Sequence, residues 1–130
     1  MADTFKIEII SPEKTLLNTE TQEVILPAFE GMMTILKNHI SLVTFLRPGF
    51  IETKIVDKVQ KFYVEEGTVE FTRNHLLILS STAINIENLS NEYISKMIEN
   101  SKNQLNTTDL KDKEKYILNY KIDTLQQINK

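Results

Sequence analysis

Apolar residues in the first two thirds of the chain recur with period two, the spacing of a strand that buries one face. Phe5, Ile7 and Ile9 alternate with Lys6 and Glu8, and Ser11-Pro12 ends the run. Glu23 to Leu26 reads as a second strand, stopped by Pro27. Ile51, Thr53 and Ile55 alternate with Glu52 and Lys54, and Asp57-Lys58 then separates them from Val59 to Val64, a spacing that suits a tight hairpin. Val69 and Phe71 alternate with Glu70 and Thr72 after Glu66-Gly67. Arg73-Asn74 turns the chain into His75 to Leu79, a continuous apolar run that suits a strand buried on both faces. Short strands with turn residues between them predict a β-sandwich or flattened barrel over residues 1–87.

The period changes near residue 88. From Leu89 onward there is neither Gly nor Pro, and apolar residues take helical spacing. Ser90 is placed to cap a helix carrying Tyr93 and Met97 on one face and Ile94, Ile98, Ser101 and Leu105 along a stripe. Asn106-Thr107-Thr108-Asp109 breaks the pattern and offers new caps. A second helix aligns Leu118, Ile122 and Leu125, with Ile117 and Ile128 beside them. Residues 88–130 are therefore expected to form an antiparallel helical hairpin. Its stripe is narrow, and isolated helices of about 15 residues are marginal in water, so the hairpin must lean on the sandwich, on another protein, or on each in turn. An element of that kind suits a conformational switch.

Composition narrows the function. The 130 residues carry a net charge of −3 and no basic arm or aromatic-studded basic stripe, which argues against nucleic acid as a partner. Without cysteine there is no thiolate chemistry and no sulfur-rich zinc site. The N-terminal segment lacks the basic and apolar regions of a signal peptide, and no apolar run is long enough to span a bilayer, so membrane association is expected only through a partner. His39 and His75 belong to no metal-ligand motif, and the chain has no nucleophile elbow and no phosphate-binding glycine loop. The carboxylates are scattered over alternate, solvent-facing positions. No metal, cofactor or catalytic residue is assigned.

The segment Pro27 to Gly49 stands out. Glu30-Gly31 forms a turn followed by Met32 and Met33, which are either core residues or flexible thioethers exposed at a loop tip. His39 is open to a turn, core or contact role. With Thr34 to Leu36, His39, Leu42 to Leu46 and Pro48-Gly49, this stretch resembles the epsilon subunit of bacterial F-type ATP synthases. The resemblance extends to Phe5–Pro12, to Glu66-Gly67, Glu70 and Leu76–Ala83, and to the helical tail, covering essentially the whole chain. Thr34, Lys37-Asn38 and Ser41 depart from the family's usual glycine, proline-glycine and proline. Asn91 to Met97 lacks the Arg-Ala pair with which some members bind ATP, so ATP binding by the tail is not expected.

The resemblance implies a non-catalytic rotor component of the proton-translocating enzyme, peripheral on the cytoplasmic side of the bacterial cytoplasmic membrane. Glu30, Gly31 and Met32 are then expected to contact the c-ring, and Ser11, His39 and Thr44 the gamma subunit. The tail is expected to reach the alpha and beta subunits when extended and to restrain ATP hydrolysis there. The competing reading is a free-standing β-sandwich adaptor that dimerises through its tail. A small hydrolase would need a pocket with paired titrating groups, and the sequence offers none.

Overall fold

The structure, a computed structural model, describes residues 3–107 and 109–128. Ten strands lie among them: β1 (Phe5–Ile10), β2 (Thr15–Thr21), β3 (Glu23–Ala28), β4 (Gly31–Leu36), β5 (Leu42–Leu46), β6 (Gly49–Ile55), β7 (Lys58–Val64), β8 (Gly67–Thr72), β9 (His75–Leu79) and β10 (Ile84–Asn85). They pair in the order β10-β7-β6-β3-β5-β8-β9-β1-β2, with β4 on the free side of β3. All pairings are antiparallel except that of β1 with β9. β3 meets β5 only at Ala28–Leu46, the corner where one layer passes into the other. Thr21 Oγ1 and Gln22 N–H both donate to the Lys54 carbonyl, drawing the end of β2 onto β6 and nearly closing the barrel.

Period-two burial builds the core. Phe5, Ile7 and Ile9 of β1 point inward against Leu26, Ile35, Ile51, Phe62, Val69, Phe71, Leu76 and Ile78. The rings of Phe5 and Phe71 meet edge-on at 5.6 Å, a favoured aromatic arrangement.

Three local expectations are corrected and one strand, β2, is added. β3 does not stop at Pro27 but continues to Ala28. Its neighbour changes there from β6, last paired at Ile25, to β5, so proline's missing N–H deprives no ladder. β2 shows no clean alternation in the sequence because it is an edge strand paired only with β1 and mostly exposed. The β6–β7 turn falls on Val56-Asp57 rather than Asp57-Lys58, since Ile55 pairs with Lys58. It holds Val56 at φ +53°, with its N–H bonded to the Gln22 side chain. β9 is not buried on both faces: Leu76 and Ile78 point inward while Leu77 and Leu79 point outward.

Beyond a one-turn 3-10 helix (Ile86–Asn88) come α1 (Asn91–Leu105) and α2 (Asp112–Gln126), which pack together. Ser90 caps α1 as expected, its Oγ accepting from Tyr93 N–H at 3.1 Å. The predicted second set of caps does not serve: α2 starts after Lys111, whose side chain makes no capping bond, and Thr108 lies outside the described residues. The helices lean on the sandwich through a second apolar cluster. Ile94, Met97, Ile98, Leu125 and Ile128 meet Tyr63, Phe50, Ile84, Ile86 and Leu89 over the outer side of β6 and β7. The marginal stripe is thus covered by its own chain.

Candidate stalk interface

The helices cover β6 and β7, and the outer face of the other layer is open. Strand register lays that face out as a grid. Phe45, Thr68, Leu79 and Ile10 form one row across β5, β8, β9 and β1. Val43, Glu70, Leu77 and Glu8 form the next, and Thr72, His75 and Lys6 the third. Val43 is 69% exposed, Phe45 56% and Leu79 45%. Several large apolar side chains exposed together on one sheet face are characteristic of a surface that meets another protein. Its polar corner is internally paired, with His75 Nε2 2.6 Å and Lys6 Nζ 3.8 Å from Glu8 Oε1.

At one end of this face stands the β3–β4 hairpin. Its tip is Phe29-Glu30, and Gly31 takes φ +137°, a region that side chains rarely enter. Met32 is 58% exposed whereas Met33 packs against the core, so the two methionines divide between the two possible roles. Phe29 N–H donates to the Phe45 carbonyl at 3.0 Å, tying the tip to β5. Thr44 Oγ1 donates to the Glu30 carboxylate, 2.8 Å from Oε1 and 3.1 Å from Oε2. An open groove between Phe29, Phe45, Gly67 and Lys113 makes tip and face continuous.

The residues expected at the gamma contact do not form one cluster. Ser11 closes its own turn, its hydroxyl donating to the Lys14 carbonyl and accepting from Lys14 N–H. His39 lies near the opposite end of the strands, with Nδ1 2.8 Å from the Ile40 carbonyl oxygen and its ring edge-on to Phe71 at 6.0 Å. Its loop is pinned by a reciprocal pair in which Asn38 N–H donates to the Asn74 side chain and Asn74 Nδ2 to Asn38 Oδ1. Thr44 faces inward, in register with Val69, and its hydroxyl meets the Glu30 carboxylate rather than Ser11 or His39. Sequence reading missed the outward residues Ile10, Val43, Phe45, Leu77 and Leu79. The available signal was an apolar residue at every position of 42–46 and 76–79 except Thr44, more than a one-sided strand uses.

Among the described residues, no group of three or more His, Cys, Asp or Glu side chains is arranged to hold a metal, and no helix is long and apolar enough to cross a membrane.

Comparison with known proteins agrees with this architecture. The beta-sandwich domain family of the ATP synthase delta/epsilon chain matches residues 4–86. The ATP synthase epsilon chain of Pelagibacter ubique is 42% identical over 130 residues, 99% of this chain and 100% of the relative. That of Allorhizobium ampelinum is 34% identical over 110 residues, 84% and 82% of the two chains. Among solved structures, a chain of the Euglena gracilis mitochondrial ATP synthase superposes with a TM-score of 0.79 at 17% identity, covering 97% of this chain and 81% of that one. A chain of the Tetrahymena thermophila mitochondrial ATP synthase central stalk and c-ring gives 0.62 at 15% identity, covering 94% and 93%. At those identities the structures speak for the fold, and the relatives for the family. The chain belongs to the ATP synthase epsilon-chain family.

Proposed function

We propose that this chain is a non-catalytic rotor-stalk subunit of an F-type ATP synthase whose open sheet face seats the gamma subunit and whose β3–β4 tip meets the c-ring. The observation that carries the reading is the apolar grid of exposed Val43, Phe45 and Leu79 with half-buried Leu77 and Ile10, which no described element of the chain covers while the helices shield the other layer. An elongated stalk subunit lying along β5, β8, β9 and β1 would bury these side chains at about 25 cal/mol per Å². Residues 1–87 act as the fixed joint. Residues 88–130 are the movable part, reaching the alpha and beta subunits when extended and slowing ATP hydrolysis there. The complex holds the chain at the cytoplasmic side of the bacterial cytoplasmic membrane. The segment Asn91–Met97 lacks the Arg-Ala pair, so no ATP is assigned to the tail.

The test pairs Val43→Glu with Phe45→Glu in the full-length chain and measures affinity for the purified gamma subunit by calorimetry. Burying unpaired carboxylates in the contact lowers affinity by a factor on the order of a hundred or more. Unchanged affinity places gamma elsewhere. In parallel, the wild-type chain is added back to an epsilon-depleted catalytic head. A change in hydrolysis rate supports the regulatory half of the reading, and no change removes it.

A further inference from the structure

We infer that Thr44 is a positioning residue for the c-ring contact, holding the Glu30 carboxylate at the hairpin tip, and is not itself a gamma contact. The inference rests on the proposed role of the tip. An exposed glutamate ordinarily samples several rotamers, and ordering it at an interface costs on the order of 1–2 kcal/mol. Here that cost is met in advance. Thr44 Oγ1 shares its one proton with both carboxylate oxygens at 2.8 and 3.1 Å, a charge-assisted contact stronger than a neutral one.

The anchor is rigid. Thr44 is β-branched, sits in the middle of β5 and is only 5% exposed, so its χ1 is restricted. The backbone is tied beside it, with Phe29 N–H on the Phe45 carbonyl and Arg47 N–H on the Pro27 carbonyl, each at 3.0 Å. One threonine proton leaves most of the carboxylate's acceptor capacity unused. Glu30 is exposed, so that capacity faces outward, beside the exposed Met32. The arrangement suits a polar loop that offers cationic or amide N–H donors. Thr44 has no comparable path to gamma: its side chain lies on the inner face of β5, and the open grid belongs to its neighbours Val43 and Phe45.

The experiment uses the full-length chain bound to gamma and measures its affinity for purified c-ring in nanodiscs, alongside its affinity for gamma alone. The variants are Thr44→Val, Thr44→Ser, Glu30→Gln and the pair Thr44→Val with Glu30→Gln. Thr44→Val keeps the shape and deletes the donor. It should weaken c-ring binding about three- to tenfold, the scale of ordering one flexible side chain at an interface, with gamma affinity and melting midpoint preserved. Thr44→Ser should restore binding, and the double variant should lose no more than Glu30→Gln alone. If Glu30→Gln weakens c-ring binding while Thr44→Val does not, the positioning role is wrong and the tip assignment stands. If Glu30→Gln has no effect, the tip assignment fails and the inference falls with it. A loss confined to gamma affinity in Thr44→Val would return Thr44 to the stalk face and overturn the proposal.

Discussion

The guanidinium of Arg47, at the end of β5, lies 3.9 Å from the ring centroid of Tyr120 on α2. Arg47 is buried, its Nη1 donates to the Pro48 carbonyl at 3.2 Å, and its Nε has no hydrogen-bond partner among the described residues. A desolvated cation–π contact is worth about 2 kcal/mol. Lifting α2 away, however, returns a poorly satisfied guanidinium to water, and its regained hydration offsets part of that loss. The contact therefore orients the docked tail without fixing it permanently. Tyr120→Leu should raise amide hydrogen exchange throughout α2 about three- to tenfold, equivalent to roughly 1 kcal/mol. Exchange in β1, β8 and β9 should not change. Equal protection of α2 in the variant would show that the ring contributes nothing to docking.

Most of the docking energy is apolar. Leu125 is fully buried among Tyr63, Leu89 and Ile94, a cluster separate from the sandwich core. Leu125→Ala should cost about 2–4 kcal/mol of docking, enough to release the helices in a large fraction of molecules. Because the two clusters do not share residues, the sandwich should keep its thermal midpoint. Calorimetry with hydrogen exchange separates these outcomes, and a single cooperative transition shifted as a whole would mean the two clusters unfold together.

Alkaline pH should weaken the same interface. Burial, chiefly, and the nearby Glu65 carboxylate raise the Tyr63 phenol above its ordinary value. The hydroxyl donates to Glu65 Oε2 at 3.0 Å, and Lys121 of α2 approaches that oxygen to 3.3 Å. The folded state thus holds the Tyr63 proton more tightly than the unfolded state does. Below the unfolded value of about 10 the contribution is complete, and above it stability falls as pH rises, because the unfolded chain releases its proton first. Denaturant titrations at pH 8 and pH 11 should show this loss, and Tyr63→Phe should flatten it. An equal pH dependence in Tyr63→Phe would assign the effect to another group.

Much of this architecture was legible in the residue pattern, because burial of one strand face imposes alternation. β1, β6 and β8 were found by Phe5/Ile7/Ile9, Ile51/Thr53/Ile55 and Val69/Phe71. β2 was not, since a strand paired only at the edge needs backbone partners and little apolar patterning. The 76–79 run was informative but ambiguous: an outer apolar row looks the same whether this chain covers it or a partner does. The β3–β4 tip was recognisable as a turn from Glu30-Gly31. Its link to Thr44 was not, because hydrogen bonds between residues 14 positions apart depend on register that no local pattern reports.

The glycines offer a last test, because they act through different physics. A Cβ on Gly49 would lie 2.6 Å from Pro27 Cβ and 2.8 Å from its Cγ, and one on Gly67 would lie 2.8 Å from the Leu79 carbonyl oxygen. Neither a proline ring nor strand backbone can move aside cheaply, so each alanine variant should cost about 1–3 kcal/mol. For a domain of this size that corresponds to several degrees in melting midpoint. Gly31 has open space around it and φ +137°, so Gly31→Ala carries backbone strain alone and no steric clash. Its effect should concentrate at the tip, with faster exchange at Phe29–Met32 and a smaller midpoint shift than either other variant. Gly49→Ala should disturb the tip as well, by pushing Pro27, which lies in β3 just ahead of Ala28, Phe29 and Glu30. A native midpoint for Gly49→Ala would mean that Pro27 can retreat, and that the packing of β3 against the start of β6 is looser than its contacts imply.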